Sequence, residues 1–146
     1  MGVRSDRFQA LLDLIELLGS IDCLVDAIIV EGSRDRRALR RLGFDGAIEM
    51  HSMRGLAEEE LVEEIRSKYK SVLILTDFDR EGRQLNKRLT TFLERRGVKT
   101  DPRLRRVFGR LMATLGVYSI EDLEDISLRM GSSTLGAILN GWTESF

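Results

Sequence analysis

The sequence is poor in the residues that build covalent and metal scaffolds. A single cysteine, Cys23, excludes a disulfide framework and any cysteine-based zinc cluster. A single histidine, His51, excludes every metal site or catalytic triad that needs two. One proline in 146 residues excludes a proline-rich linker protein. The longest apolar runs, such as Ala27 to Val30 and Val72 to Leu75, are far too short to span a bilayer. No apolar segment follows the basic residue within Met1 to Asp6, so no leader peptide is expected and the predicted location is cytoplasmic. An excess of one charge is missing too: 23 Lys and Arg against 24 Asp and Glu leave a net charge of −1.

What is present reads as one ordinary domain over residues 1–146, with 42% hydrophobic and 32% charged residues. Arginine supplies 19 of the 23 basic residues, and guanidinium suits bidentate contact with phosphate or carboxylate. Arg34, Arg36, Arg37, Arg40 and Arg41 form one cluster, and Arg103, Arg105, Arg106 and Arg110 a second. Each cluster is either a phosphate-binding patch or a helix face laced with ion pairs.

Residues 6–18 carry Phe8, Leu11, Leu12, Ile15 and Leu18 at helical spacing, with Gly19 as the stop. Val25 to Val30 reads as a buried strand. A helix over about 34–42, a short strand at 46–50 and a helix over 57–69 follow. Ser71 to Thr76 is the clearest strand, then comes a helix over 82–96 and a short strand at 98–100. Asp101-Pro102 opens a helix as N-cap and first-turn proline, and Ser119 with Asp122 opens another that runs to about Met130. Strands alternating with helices predict an α/β fold, a parallel sheet covered on both faces. The core is expected over about 25–100, with an N-terminal helix at 6–18 and a helical extension over 101–146. Cys23, just before the first strand, is expected in the core. Tyr69 and Tyr118 both occupy positions of the apolar pattern.

Two acidic sites stand where strands end. One is Val30-Glu31-Gly32-Ser33-Arg34-Asp35; the other is Thr76-Asp77-Phe78-Asp79-Arg80-Glu81-Gly82. Ligands of open parallel sheets bind beyond the carboxyl ends of the strands. If the first and third strands are neighbours, both sites share that edge. In extended backbone, Asp77 and Asp79 would present two carboxylates to one point. Such hard oxygen donors suit Mg²⁺, with Mn²⁺ as a substitute. Glu31, partly desolvated before the permissive Gly32, is suited to proton transfer; the competing reading has it capping the helix that follows.

These residues resemble a family. Glu31-Gly32 with Asp35, and Asp77-x-Asp79 with Gly82, each after an apolar strand, look like the two signature motifs of the toprim domain. Type IA and type II topoisomerases, bacterial primases, OLD-type nucleases and RecR-like repair proteins share that domain. The run Asp-Phe-Asp-Arg-Glu-Gly is most similar to the type IA topoisomerase version, and the whole chain looks like a small stand-alone toprim protein. The resemblance implies a Rossmann-like three-layer fold with four mainly parallel strands in the order 2-1-3-4. It implies Glu31 as general acid or base, Asp77 and Asp79 as Mg²⁺ ligands, and Gly32, Asp35 and Gly82 in support. The chain lacks the separate tyrosine-bearing domain of a type IA topoisomerase and the zinc module of a primase. A haloacid-dehalogenase reading of Asp-x-Asp needs Thr or Val where Glu81 stands.

The expected function is Mg²⁺-dependent phosphodiester chemistry on nucleic acid, of nuclease or nicking type. The alternative is a non-catalytic toprim module that binds nucleic acid or a partner protein in repair or RNA processing. Arg80 and Arg83, at the start of a helix, and Arg54, after the second strand, are candidate phosphate contacts, as is His51. Phe78 is the only aromatic residue in the acidic motif, and no stacking platform is evident. DNA and RNA are equally open as partners, a homodimer is possible, and no membrane is implied.

Overall fold

A computed structural model describes residues 3–52 and 58–129. Its elements are α1 (Val3–Ile21), β1 (Ala27–Val30), α2 (Ser33–Arg41), β2 (Ala47–Met50), α3 (Glu58–Lys68), β3 (Ser71–Ile74), α4 (Arg80–Arg95), β4 (Lys99–Thr100) and α5 (Pro102–Leu115). Residues 122–129 form a further helix, α6. The strands make one sheet in the order β2-β1-β3-β4. Every pairing is parallel, with Ile29 opposite both Glu49 and Ile74, and Ser71 opposite Lys99.

The period-2 alternation of the central strands builds two cores. Ile28 and Val30 of β1, with Leu73 and Leu75, face a layer formed by α1, α2, α5 and the segment reaching α6. Ala27 and Ile29, with Val72 and Ile74, face α3 and α4. Strand β1 is therefore apolar throughout and β3 from Val72 onward, as a parallel sheet covered on two sides requires.

Local chemistry sets most boundaries. Asp101 caps α5, its carboxylate accepting the Leu104 N–H at 2.9 Å, and Gly116 ends that helix at φ 79°. Ser119 Oγ accepts the Asp122 N–H at 3.3 Å before α6. Three expectations need correction. Helix α1 does not stop at Gly19 but continues to Ile21, because Leu14, Leu18 and Ile21 extend one fully buried stripe. Strand β1 begins at Ala27 rather than Val25, since the Asp26 carboxylate is occupied by the N–H groups of Lys70 (2.8 Å) and Ser71 (3.1 Å). Cys23 lies in the turn after α1 and is exposed, outside the core. The expected continuation over 131–146 lies outside the described residues.

Among the described residues no helix is long and apolar enough to cross a membrane.

Candidate functional site

Strands β1 and β3 run side by side and end together, and the Leu75 N–H donates to the Ile29 C=O at 2.8 Å as the last rung. The chain then delivers Glu31 from β1 and Asp77 from β3 to the same edge. Glu31 Oε2 accepts the backbone N–H of Asp77 at 2.8 Å. Glu31 is thus a cross-strand brace and not the cap of α2. The α2 cap position is Gly32, whose N–H donates to Asp35 Oδ2 at 3.0 Å.

The second acidic loop is closed on itself. Asp79 caps α4, its Oδ1 accepting the Gly82 N–H at 2.7 Å. The buried Thr76 hydroxyl donates to the Gly82 C=O at 2.6 Å. A Cβ at Gly82 would stand 2.0 Å from the Asp77 carbonyl oxygen, so only glycine lets α4 begin this close to the loop. Gly32 is less constrained, with Ser52 Oγ at 3.2 Å from the corresponding point.

Asp77 and Asp79 have different partners: Asp77 Oδ1 accepts the Ile120 N–H at 3.1 Å, from the segment between α5 and α6. Burial, opposed by that hydrogen bond and reinforced by Glu31 and Asp35, pushes the Asp77 carboxyl up to about 7. Asp35, itself buried, is also raised, first by burial and then by the charges of Glu31 and Glu121. Asp79 is exposed.

A buried arginine lies beneath this edge. Arg105 of α5 donates through Nη1 to the Ile74 and Thr76 carbonyls (3.0 and 2.9 Å) and through Nη2 to that of Asp77 (3.2 Å). Its guanidinium stacks over the Phe78 ring at 4.2 Å. Burial pulls its pKa down to about 10, against the upward pull of Glu31 and Asp77. In the sequence Arg105 is one of a basic cluster with Arg103, Arg106 and Arg110. The available signal was its place on the apolar stripe of α5, among Leu104, Phe108, Met112 and Leu115.

Glu31, Asp35 and Asp77 therefore share one region with Arg105, the one buried cation among the described residues, whose donors serve carbonyls. Oxygen donors with excess negative charge fit a hard divalent ion, and Mg²⁺ is commonly held by one or two carboxylates with the rest water. Among the described residues no three Asp, Glu, His or Cys side chains form a ready-made cage.

The remaining candidates divide. Arg80 and Arg83 occupy the first turn of α4 and are exposed; neither forms an ion pair with Glu81 among the described residues. Arg54 lies outside the described residues. His51 Nε2 is held by the Glu58 carboxylate at 3.2 Å. In the first arginine cluster, Arg37 and Arg41 pair with Glu124 (3.2 and 3.0 Å), and Arg40 donates to the carbonyls of Phe44 and Gly46. That helix face is therefore substantially occupied by internal contacts. Tyr118 departs from the apolar pattern and is 62% exposed.

The model of the Toprim domain matches residues 26–111, which reaches into α5. A UPF0292 protein of Pyrococcus abyssi is 45% identical over 104 residues, covering 71% of this chain and 76% of its own. One from Methanocaldococcus jannaschii is 37% identical over 123 residues, covering 82% and 91%. A solved structure of a protein from Aquifex aeolicus superposes with a TM-score of 0.56 at 20% identity, covering 78% of this chain and 94% of that one, and supports the fold. Toprim domains generally bind Mg²⁺ and engage nucleic acid. With both motifs at the ends of β1 and β3, this chain belongs to the Toprim domain family and is related to the small UPF0292 proteins.

Proposed function

We propose that this chain performs Mg²⁺-dependent phosphodiester chemistry on nucleic acid, as a nuclease or nicking activity. The single observation that carries the reading is the brace between Glu31 and the Asp77 N–H at the carboxyl ends of adjacent parallel strands. Asp77 and Asp79 are the residues that would hold the metal, Mn²⁺ serving in place of Mg²⁺. Bound there, the ion would stabilise charge developing on the phosphate oxygens. Glu31, oriented by the Asp77 N–H, transfers a proton to or from the attacking or leaving oxygen. Arg80 and Arg83 hold phosphate at the positive start of α4. Gly82 lets the loop close, and Gly32 and Asp35 order the start of α2. Arg54 belongs to the same proposed phosphate contacts by its place after β2.

A binding module without turnover is the second reading, favoured by the internal hydrogen bonds that Asp77 and Asp79 already make. Labelled single-stranded, duplex and hairpin RNA and DNA, incubated with Mg²⁺ or with chelator, separate the two. Metal-dependent cleavage lost in Glu31→Gln supports the enzyme. A Mg²⁺-dependent rise in melting temperature without cleavage of any substrate supports the module. Absence of both removes the metal centre.

A further inference from the structure

We propose that the groove between α4 and α5 seats an unpaired stretch of nucleic acid, with phosphates on its basic walls and a base against Phe78 and Tyr118. The proposal rests on the reading of the acidic edge as a place where nucleic acid is handled, and it names the substrate form. The groove encloses ≈ 540 Å³, within the range of small-ligand sites. Arg83 and Lys87 line it from α4, and Arg106 and Arg110 from α5. Each pair is spaced i, i+4, so each wall carries two cations one turn, or about 6 Å, apart. Among the described residues no acidic side chain lines the groove. Among the described residues none of these four cations has a carboxylate partner, whereas Arg37, Arg41, Arg66, Arg88 and Arg96 all do. In a chain of net charge −1, such a concentration calls for an anionic occupant.

The aromatic residues separate a polynucleotide from a plain polyanion. Phe78 stands between Asp77 and Asp79, with Arg105 stacked on its ring. The ring fits because residue 109 is glycine: a Cβ there would be 2.7 Å from Phe78 Cε1. The Phe78 N–H donates to the Tyr118 carbonyl at 2.7 Å, which ties the exposed Tyr118 beside it. Both residues line the groove, a juxtaposition that the sequence did not reveal, since they are forty residues apart. A base can lie on such rings only when it has left its duplex stack, so the occupant is single-stranded. Phe78 also places the end of the groove at the acidic loop, where the next phosphate of a strand along it would arrive.

The test is fluorescence anisotropy with labelled 12-nucleotide oligo(dT) and oligo(rU) and a hairpin duplex, in chelator so that nothing is cut. Tighter binding of the single strands is expected. Arg106→Ala with Arg110→Ala should weaken it at least tenfold and lower the salt slope by about 1.4, two phosphates at about 0.7 each. Tyr118→Ala should weaken it about five- to hundredfold, and Tyr118→Phe should retain it. Wild-type-like binding by the double variant overturns the proposal. So do preference for the hairpin, failure of the wild type to bind any oligonucleotide, and equal capture of polyglutamate indifferent to Tyr118. The Mg²⁺-dependent melting shift is read in parallel. Oligonucleotide binding with no such shift and no cleavage keeps the groove and rejects the catalytic reading; a shift and cleavage indifferent to the groove variants do the reverse.

Discussion

Glu31 Oε2 and the Asp77 N–H meet at 2.8 Å across 46 residues of chain. Beyond the Leu75–Ile29 rung, this bond ties the ends of β1 and β3 through a side chain and helps to hold the acidic loop. Glu31→Gln keeps an acceptor oxygen, so the fold and the response to Mg²⁺ should persist. Turnover should fall by about 10²- to 10⁴-fold, the usual value of a lost acid or base. Glu31→Ala leaves the Asp77 N–H without its partner and should in addition cost about 1–3 kcal/mol of stability. Cleavage rates beside chemical denaturation of both variants check this.

Metal-free stability should depend on pH through Asp77. Its carboxyl stands at about 7 in the folded protein against 3.8 for the unperturbed group. The folded state therefore binds this proton more tightly than the unfolded chain does. Stability from this group is greatest below about pH 4, declines as pH rises through about 7 and is flat above, a change on the order of a few kcal/mol. The carboxyls of Glu31 and Asp35 and the Arg105 guanidinium face the group, and the raised Asp35 works in the same direction. Asp77→Asn should flatten, without abolishing, the decline between pH 4 and 7, and should raise the melting temperature at pH 8 in chelator. The same variant and Asp79→Asn should lose the increment that Mg²⁺ adds to wild type. Thermal melts across pH, with and without Mg²⁺, measure both effects.

Gly82→Ala should be far more damaging than Gly32→Ala. Its Cβ would meet the Asp77 carbonyl at 2.0 Å, and backbone cannot move aside as a side chain can. A loss of about 3 kcal/mol is expected for such overpacking. At Gly32 the neighbour is the Ser52 hydroxyl at 3.2 Å, which can rotate away. Urea midpoints of the two variants should differ accordingly.

Arg105→Met should expose its role as a support. It removes the donors of the Ile74, Thr76 and Asp77 carbonyls and the cation beneath the carboxylates. The expected loss is about 2–4 kcal/mol, and with no cation left to oppose the ion the Mg²⁺-dependent melting shift should grow. Arg105→Lys should return the shift toward its wild-type size but recover only part of the stability, because an ammonium keeps the charge and cannot reproduce the planar fork that spans three carbonyls. Denaturation and melts with Mg²⁺ distinguish the two variants.

Sequence alone determined the features that depend on a few neighbouring residues. The apolar runs of β1 and β3, the cap at Asp101-Pro102 and the serine before α6 are local, and local sterics and hydrogen bonding decide them. The two acidic motifs were legible for the same reason, and their resemblance to the toprim signatures supplied the strand order. Tertiary structure decided what each side chain would meet. Helix α1 runs through Gly19 because Ile21 has a core to enter, which outweighs the modest helix penalty of one glycine. Asp77 receives Ile120 from 43 residues away, and Arg105 reaches carbonyls 28 to 31 residues back. Tyr118 stands beside Phe78 only because α5 returns the chain to the sheet edge. Such pairings depend on how the layers pack, and neither helical nor strand periodicity encodes the distance between residues that far apart in the chain.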